Sequence, residues 1–232
     1  MKVFSEITEK SWLTPSYTSP LEYSRIEEGI EIPVNKKPVL VILLVIISVF
    51  FTLFVVTFIA RSQYPDFQAL AGDYWQPFYN PQRLWLNSSF LLASSIVLEG
   101  AVYLLRHNKV QWSLLALGIS LLLALQFIAS QLLLFQYLIN LGFDYASNPA
   151  NSYFYLLTSL HAIHLLAGIV VLGWLLVYVW RSNGRKIRYE GISLCALYWH
   201  YLLVLWIFLV LLTTSSPGTY AFIAALCGVT LN

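Results

Sequence analysis

Four ionisable side chains, Glu99, His161, His164 and His200, lie inside long apolar runs of this 232-residue chain. Such a group is costly in hydrocarbon unless it is paired or neutralised, so each is a functional candidate by default. His161 and His164 form the pair HAIH, and Gly168 continues their face four residues beyond His164. His200 sits in the run ALYWHY. Imidazole is the usual axial ligand of b-type haem, which would need two of these rings on different helices at matching depth. At about 1.5 Å per helical residue, His161 and His164 lie roughly 14 and 18 Å in from Ser152, whereas His200 lies about 12 Å in from the opposite side. That mismatch favours imidazoles bonded to neighbouring helices or lipid over a bis-histidine haem. Copper is further disfavoured by the lack of a cysteine cluster. Cys195 and Cys227 form neither a disulfide framework nor a CxxC motif and read as packing residues.

Glu99 lies about 10 Å from the nearer end of its run. Ser88, Ser95, Glu99 and Tyr103 are predicted to share one helical face turned into the bundle, where small residues and hydroxyls favour close approach. Two readings stay open: a proton-relay carboxylate, or a structural glutamate that is protonated or hydrogen-bonded across helices. A relay needs a chain of such groups, and Glu99 is the one acid within the apolar runs. Glu99 and His200 fall at comparable depth, and we expect them to approach each other directly or through water, which lowers the cost of both. Gln126, Ser130, Gln131 and Gln136 read as neutral interhelical glue.

The elements that must position these groups follow from composition. The chain is 59% hydrophobic and 10% charged, with mean hydropathy +0.71. That excludes a soluble enzyme core, and a net charge of +2 offers no basic stripe for nucleic acid. Five stretches, 39–60, 84–105, 112–139, 152–180 and 192–213, reach the ~20 apolar residues that a membrane span requires. They lack the polar–apolar alternation of barrel strands. The expected fold is all-α, a polytopic five-transmembrane-helix bundle over residues 39–213. Residues 1–38 form an N-terminal segment and 214–232 a short tail.

Residues 1–38 carry six Glu and lack the layout of a cleavable signal, so the first span is expected to enter the membrane uncleaved. Of the 13 Lys and Arg, all but Arg61 and Arg83 fall on the side of the N-terminal segment. The N-terminus is therefore expected to be cytoplasmic and the C-terminus outside. Tyr64, Phe67, Tyr74, Trp75, Phe78 and Tyr79 of the first loop suit an aromatic belt at the membrane interface. The apolar stretch after Ser215 is too short to span, and is expected to rest on the outer surface or against a neighbour. Asn87-Ser88-Ser89 fits a glycosylation pattern but opens an apolar run, which marks it as coincidence. No inverted repeat or broken helix of a transporter appears.

Two segments, SYFYLLTSLHAIHLLAG and ISLCALYWHYLLVLWIFLVLL, match the patterns YFYxLTGxHxxHxxxG and AxYWHFVDVVWxF. A third, LWLNSSFLLASSIVLEGAVYLLR, is similar to LNTxxLLxSSxT. On these motifs the chain resembles subunit III of the haem-copper oxidases (cytochrome c oxidase subunit III) over about residues 40–213, in a short five-helix form. The resemblance implies an accessory subunit of a terminal respiratory oxidase, with no metal of its own. It would dock on the catalytic subunit I, which carries haem and copper, and hold structural phospholipid in a bacterial inner (cell) membrane. By position, His161, His164, Tyr198, Trp199, His200 and Trp206 match the motifs, and the resemblance implies interhelical bonding and lipid contact for them. Three acids of the family pattern are replaced here by Ser48, Ser193 and Leu203. Their loss favours assembly and lipid binding over proton handling. A subunit of a quinol oxidase or nitric-oxide-reductase system stays open, as do, from other classes, a small transporter and a b-type cytochrome.

Overall fold

The computed structural model describes residues 36–71, 78, 82–181, 189–226 and 228. Among these, six helices and no strand are found: α1 Lys36–Arg61, α2 Gln82–Arg106, α3 Val110–Asn140, α4 Pro149–Arg181, α5 Tyr189–Thr213 and α6 Pro217–Leu226. The first five are long and apolar enough to cross a membrane. The chain is thus an all-α, multi-pass membrane protein. The expected segment 1–38, apart from residues 36–38, lies outside the described residues, as do Tyr74, Trp75, Tyr79 and Cys227.

Local chemistry sets the helix ends. Pro149 opens α4, where a missing backbone N–H costs nothing. Asn148 caps it: its side-chain oxygen accepts the Ala150 N–H at 3.2 Å, and its carbonyl accepts the Ser152 N–H at 3.1 Å. The same side chain donates to the Gln68 carbonyl at 2.6 Å and so ties the first loop to this helix start. Between α2 and α3 the chain reverses within three residues through Asn108 at φ 57°, a left-handed conformation that asparagine tolerates.

Helices α2 to α5 form a closed ring, each packed on the next and α5 returning to α2. The buried positions of α3, Ser113, Leu117, Ser120, Ala124, Phe127, Gln131, Leu134 and Leu138, alternate steps of four and three. This is the seam of a left-handed coiled-coil contact. α1 stands outside the ring. It is held by Ile47 and Phe51 against Leu157 and Leu209, and by Val55, Phe58 and Ile59 against Leu212, Tyr220 and Ala224. The tail helix α6 packs on this chain itself, and its Tyr220 hydroxyl donates to the Leu212 carbonyl at 2.7 Å. Burial pushes that phenol above its ordinary range.

The aromatic-belt expectation needs correcting for two loop residues. Phe67 meets Phe58 edge-on at 5.5 Å, and Phe78 is buried against Phe154 at 5.0 Å. The peripheral position of α1 leaves apolar surface at the ends of the helices that large rings fill. Tyr64 stays exposed, under the Arg61 guanidinium.

Two expectations follow. A Cβ at Gly168 would come within 3.0 Å of both Trp199 Cζ3 and Tyr198 Cε1, whereas one at Gly173 would meet nothing within 4 Å. Gly168→Ala is expected to lower thermal stability in detergent by about 1–3 kcal/mol, the usual range for overpacking, with Gly173→Ala unaffected. At the exposed end of α1, Arg61 is hydrogen-bonded to Asp66 and holds that carboxyl below its usual range. Because the folded-state pKa is depressed, the contribution is present above the ordinary carboxylate pKa and is lost as pH falls through the folded value. In a melting series toward acid pH, Asp66→Asn should remove that small dependence, as should high salt.

Candidate functional site

One ladder of hydrogen bonds joins α2 to α5 and holds Trp199, His200 and Trp206 of the motif residues. Trp206 Nε1 donates to Ser88 Oγ at 2.9 Å, and Trp199 Nε1 donates to Ser94 Oγ at 3.2 Å. The Ser95 hydroxyl is hydrogen-bonded to His200 Nδ1 at 2.5 Å, and His200 Nε2 to Glu99 Oε2 at 3.1 Å. From Ser88 with Trp206 at one end to Ser95 and Glu99 with His200 at the other, the ladder runs up one helix and down its neighbour, as antiparallel helices must. Serine on α2 is small enough to let the large indoles of α5 pack close, and its hydroxyl accepts the N–H that burial would otherwise strand. Trp199 and Trp206 are accordingly among the largest fully buried side chains.

On its other flank, α2 uses serine against α3. Ser94 Oγ donates to the Ser120 carbonyl at 2.9 Å, Ser120 Oγ donates to the Ser94 carbonyl at 3.0 Å, and Ser113 Oγ donates to the Ala101 carbonyl at 2.9 Å. These three serines were missed from sequence. The available signal was their seven-residue spacing, Ser94 to Ala101 and Ser113 to Ser120. Further along, Asn87 Nδ2 donates to Gln131 Oε1 at 2.6 Å within the core. Of the four glue candidates on α3, Gln131 is buried and bonded, Ser130 is half-buried, and Gln126 and Gln136 are exposed. Asn87 is 1% exposed, which leaves no room for a glycan.

The orientation expected for one face of α2 is corrected. Ser88 and Ser95 point inward, but Tyr103 is exposed and the Glu99 side chain is 58% exposed. Steps of four residues drift about 40° around a helix, so by Tyr103 the row has turned about 80° from Ser95. Glu99 reaches His200 along the flank of the α2/α5 pair, not through its interior.

The three membrane imidazoles have three different surroundings. His200 is engaged at both ring nitrogens. His161 is fully buried, with its ring 5.1 Å from that of Trp206 and 6.3 Å from that of Phe127, and among the described residues neither ring nitrogen has a hydrogen-bond partner. His164 donates from Nδ1 to the Leu160 carbonyl of its own helix at 2.8 Å and faces Phe51 of α1 at 5.8 Å. Its backbone carbonyl accepts the Tyr198 hydroxyl at 2.9 Å, a bond from α5 to α4. Bonds across helices thus come from Tyr198, Trp199, His200 and Trp206 rather than from the HAIH rings. Cys195 is buried. Among the described residues no group of three or more His, Cys, Asp or Glu is placed to hold a metal.

Ser48 of α1 bonds the Tyr201 hydroxyl at 2.9 Å and thereby links α1 to α5. An apolar groove of 580 Å³ runs between α3 and α4, lined by Leu114, Gly118, Leu122, Leu176, Val177 and Trp180 among others.

The ladder can be tested by a double-mutant cycle on Ser88 and Trp206. Ser88→Ala and Trp206→Phe should each destabilise the protein in detergent. The double variant should lose less than the sum, giving a coupling of about 0.6 kcal/mol, the average measured for interhelical bonds in a membrane protein, and at most about 1.7 kcal/mol. Additive losses would show that the bond carries no energy.

The sequence model of the family described as Cytochrome c oxidase subunit III matches residues 27–214. The chain is 30% identical to cytochrome bo(3) ubiquinol oxidase subunit 3 of Buchnera aphidicola over 124 residues, covering 53% of this chain and 64% of that protein. It is 30% identical to cytochrome c oxidase subunit 3 of Aedes aegypti over 177 residues, covering 72% of this chain and 64% of that protein. With cytochrome c oxidase subunit 3 of Synechocystis the identity is 28% over 173 residues, covering 71% and 68%. The chain therefore spans less than two thirds of the Buchnera and Aedes proteins. The family match takes in all five membrane-spanning helices and the whole serine, tryptophan and histidine ladder, and on that ground this chain belongs to the cytochrome c oxidase subunit III family.

Proposed function

We propose that this chain is a non-catalytic accessory subunit of a respiratory haem-copper terminal oxidase in a bacterial inner membrane. In this reading it sits beside the catalytic subunit I, which carries the haem and copper, and stabilises it. The observation that carries the proposal is the family match over residues 27–214. The use of the polar side chains agrees with it: each of Tyr198, Trp199, His200 and Trp206 has a hydrogen-bonding partner within the bundle, the pattern of a scaffold. The N-terminus is assigned to the cytoplasm and the C-terminus to the outside from the uneven distribution of Lys and Arg. The apolar groove between α3 and α4 is the place proposed for a phospholipid acyl chain, since its lining is aliphatic but for Trp180 and the amide of Gln111. Relatives named as quinol oxidase and as cytochrome c oxidase subunits both occur, so the electron donor is a property of the partner chains.

The test is gentle purification of the tagged chain from its native membrane. The expected result is co-purification with larger subunits that show haem absorbance, while the chain alone shows none and turns over neither quinol nor cytochrome c. Haem bound by the isolated chain, or absence of any haem-bearing companion, would overturn the reading.

A further inference from the structure

Most of the outward surface of the five spans is aliphatic or aromatic and suits lipid tails and protein equally. The flank of α2 and α5 differs. Glu99 is five residues from the midpoint of α2, about 7 Å along the axis, and His200 is within one residue of the midpoint of α5. Both lie well inside a hydrocarbon layer about 30 Å thick. Their side chains are 58% and 41% exposed on this chain. His200 has both ring nitrogens occupied, so it can offer Glu99 nothing further. Glu99 Oε1 has no hydrogen bond among the described residues, and on the same two helices Leu92, Ile96, Leu197 and Val204 are exposed. A carboxyl oxygen at this depth requires a donor that acyl chains lack and that headgroups, held at the bilayer surface, do not deliver.

We propose that this flank is the surface by which the chain seats against a transmembrane helix of its larger partner subunit, one that places a hydrogen-bond donor opposite Glu99. The inference rests on the accessory-subunit reading and adds to it the face and the chemistry of the contact. A second copy of this chain is the poorer occupant. Two copies related by an axis along the membrane normal bring equal depths together, so Glu99 would meet Glu99 or a His200 already engaged at both nitrogens. Against a partner helix, the exposed aliphatic Leu92, Ile96, Leu197 and Val204 of the same two helices would supply close packing that excludes water from such a bond.

The experiment places a photo-crosslinking amino acid singly at Ile96 or Val204 on this flank, and at Leu122 of α3 or Val170 of α4 as references; all four positions are exposed. It uses the assembled complex in native membranes. Adducts to the haem-bearing subunit are expected from Ile96 and Val204 and not from Leu122 or Val170. In parallel, Glu99→Leu should reduce the amount of chain retained on the complex after detergent washing by about threefold, and by at most about twentyfold, the effect of one interhelical bond, with Val170→Ala unchanged. Adducts to the partner through Leu122 or Val170 instead, adducts only to a second copy or to lipid, or full retention of a folded Glu99→Leu chain would overturn the assignment. If the chain co-purifies with a haem-bearing partner yet crosslinks through α3 and α4, only the choice of face falls. If it co-purifies with none, the accessory-subunit reading falls with it.

Discussion

In a bilayer, apolar side chains gain nothing by leaving lipid for one another, so the arrangement of these helices depends on close packing and on hydrogen bonds that lipid cannot replace. The serines of α2 meet both needs. They bring α3 close enough for hydroxyl-to-backbone bonds on one flank, and on the other they accept the indole N–H groups of Trp199 and Trp206. A larger apolar residue at Ser88 or Ser94 would push α5 away and leave a buried donor unpaired at once. The geometry of the ring of four helices is therefore concentrated in a few small side chains of one of its members.

The same constraint accounts for the peripheral place of α1. Its Ser48 hydroxyl bonds Tyr201, its packing clusters with the ring are built of aliphatic and aromatic side chains, and much of its surface remains exposed. A helix so apolar is content in lipid, and its position is set by the rings of Phe51 and Phe58 filling space between α1, α4, α5 and α6. The first loop and α6 then close over the end of α1, which is why Phe67 and Phe78 turn inward rather than forming a belt.

Interior polar groups are divided in a way that bears on function. Ser94, Ser120, Trp199 and Trp206 are satisfied inside the bundle and serve its architecture. His161 is enclosed by aromatic rings, so it contributes shape more than bonding. His200 is bonded at both nitrogens, whereas Glu99 is satisfied at one oxygen alone and lies at the surface, where assembly with another chain would complete the arrangement.

Sequence alone determined the number of spans and their ends to within about three residues, because the bilayer imposes a length and a polarity on any helix that crosses it. It also paired Glu99 with His200 by depth, since rise per residue converts position in the chain into position along the membrane normal. Azimuth was beyond its reach. Whether Glu99 and Tyr103 face in or out depends on a rotation that accumulates over several turns and on which neighbour each flank meets. Likewise, HAIH promised bonding imidazoles, yet the bonds across helices went to the tyrosine and tryptophans of α5. That choice was made by tertiary structure: only when α5 lies against α2 and α4 do small side chains, close backbones and a carbonyl of α4 come within reach of its donors.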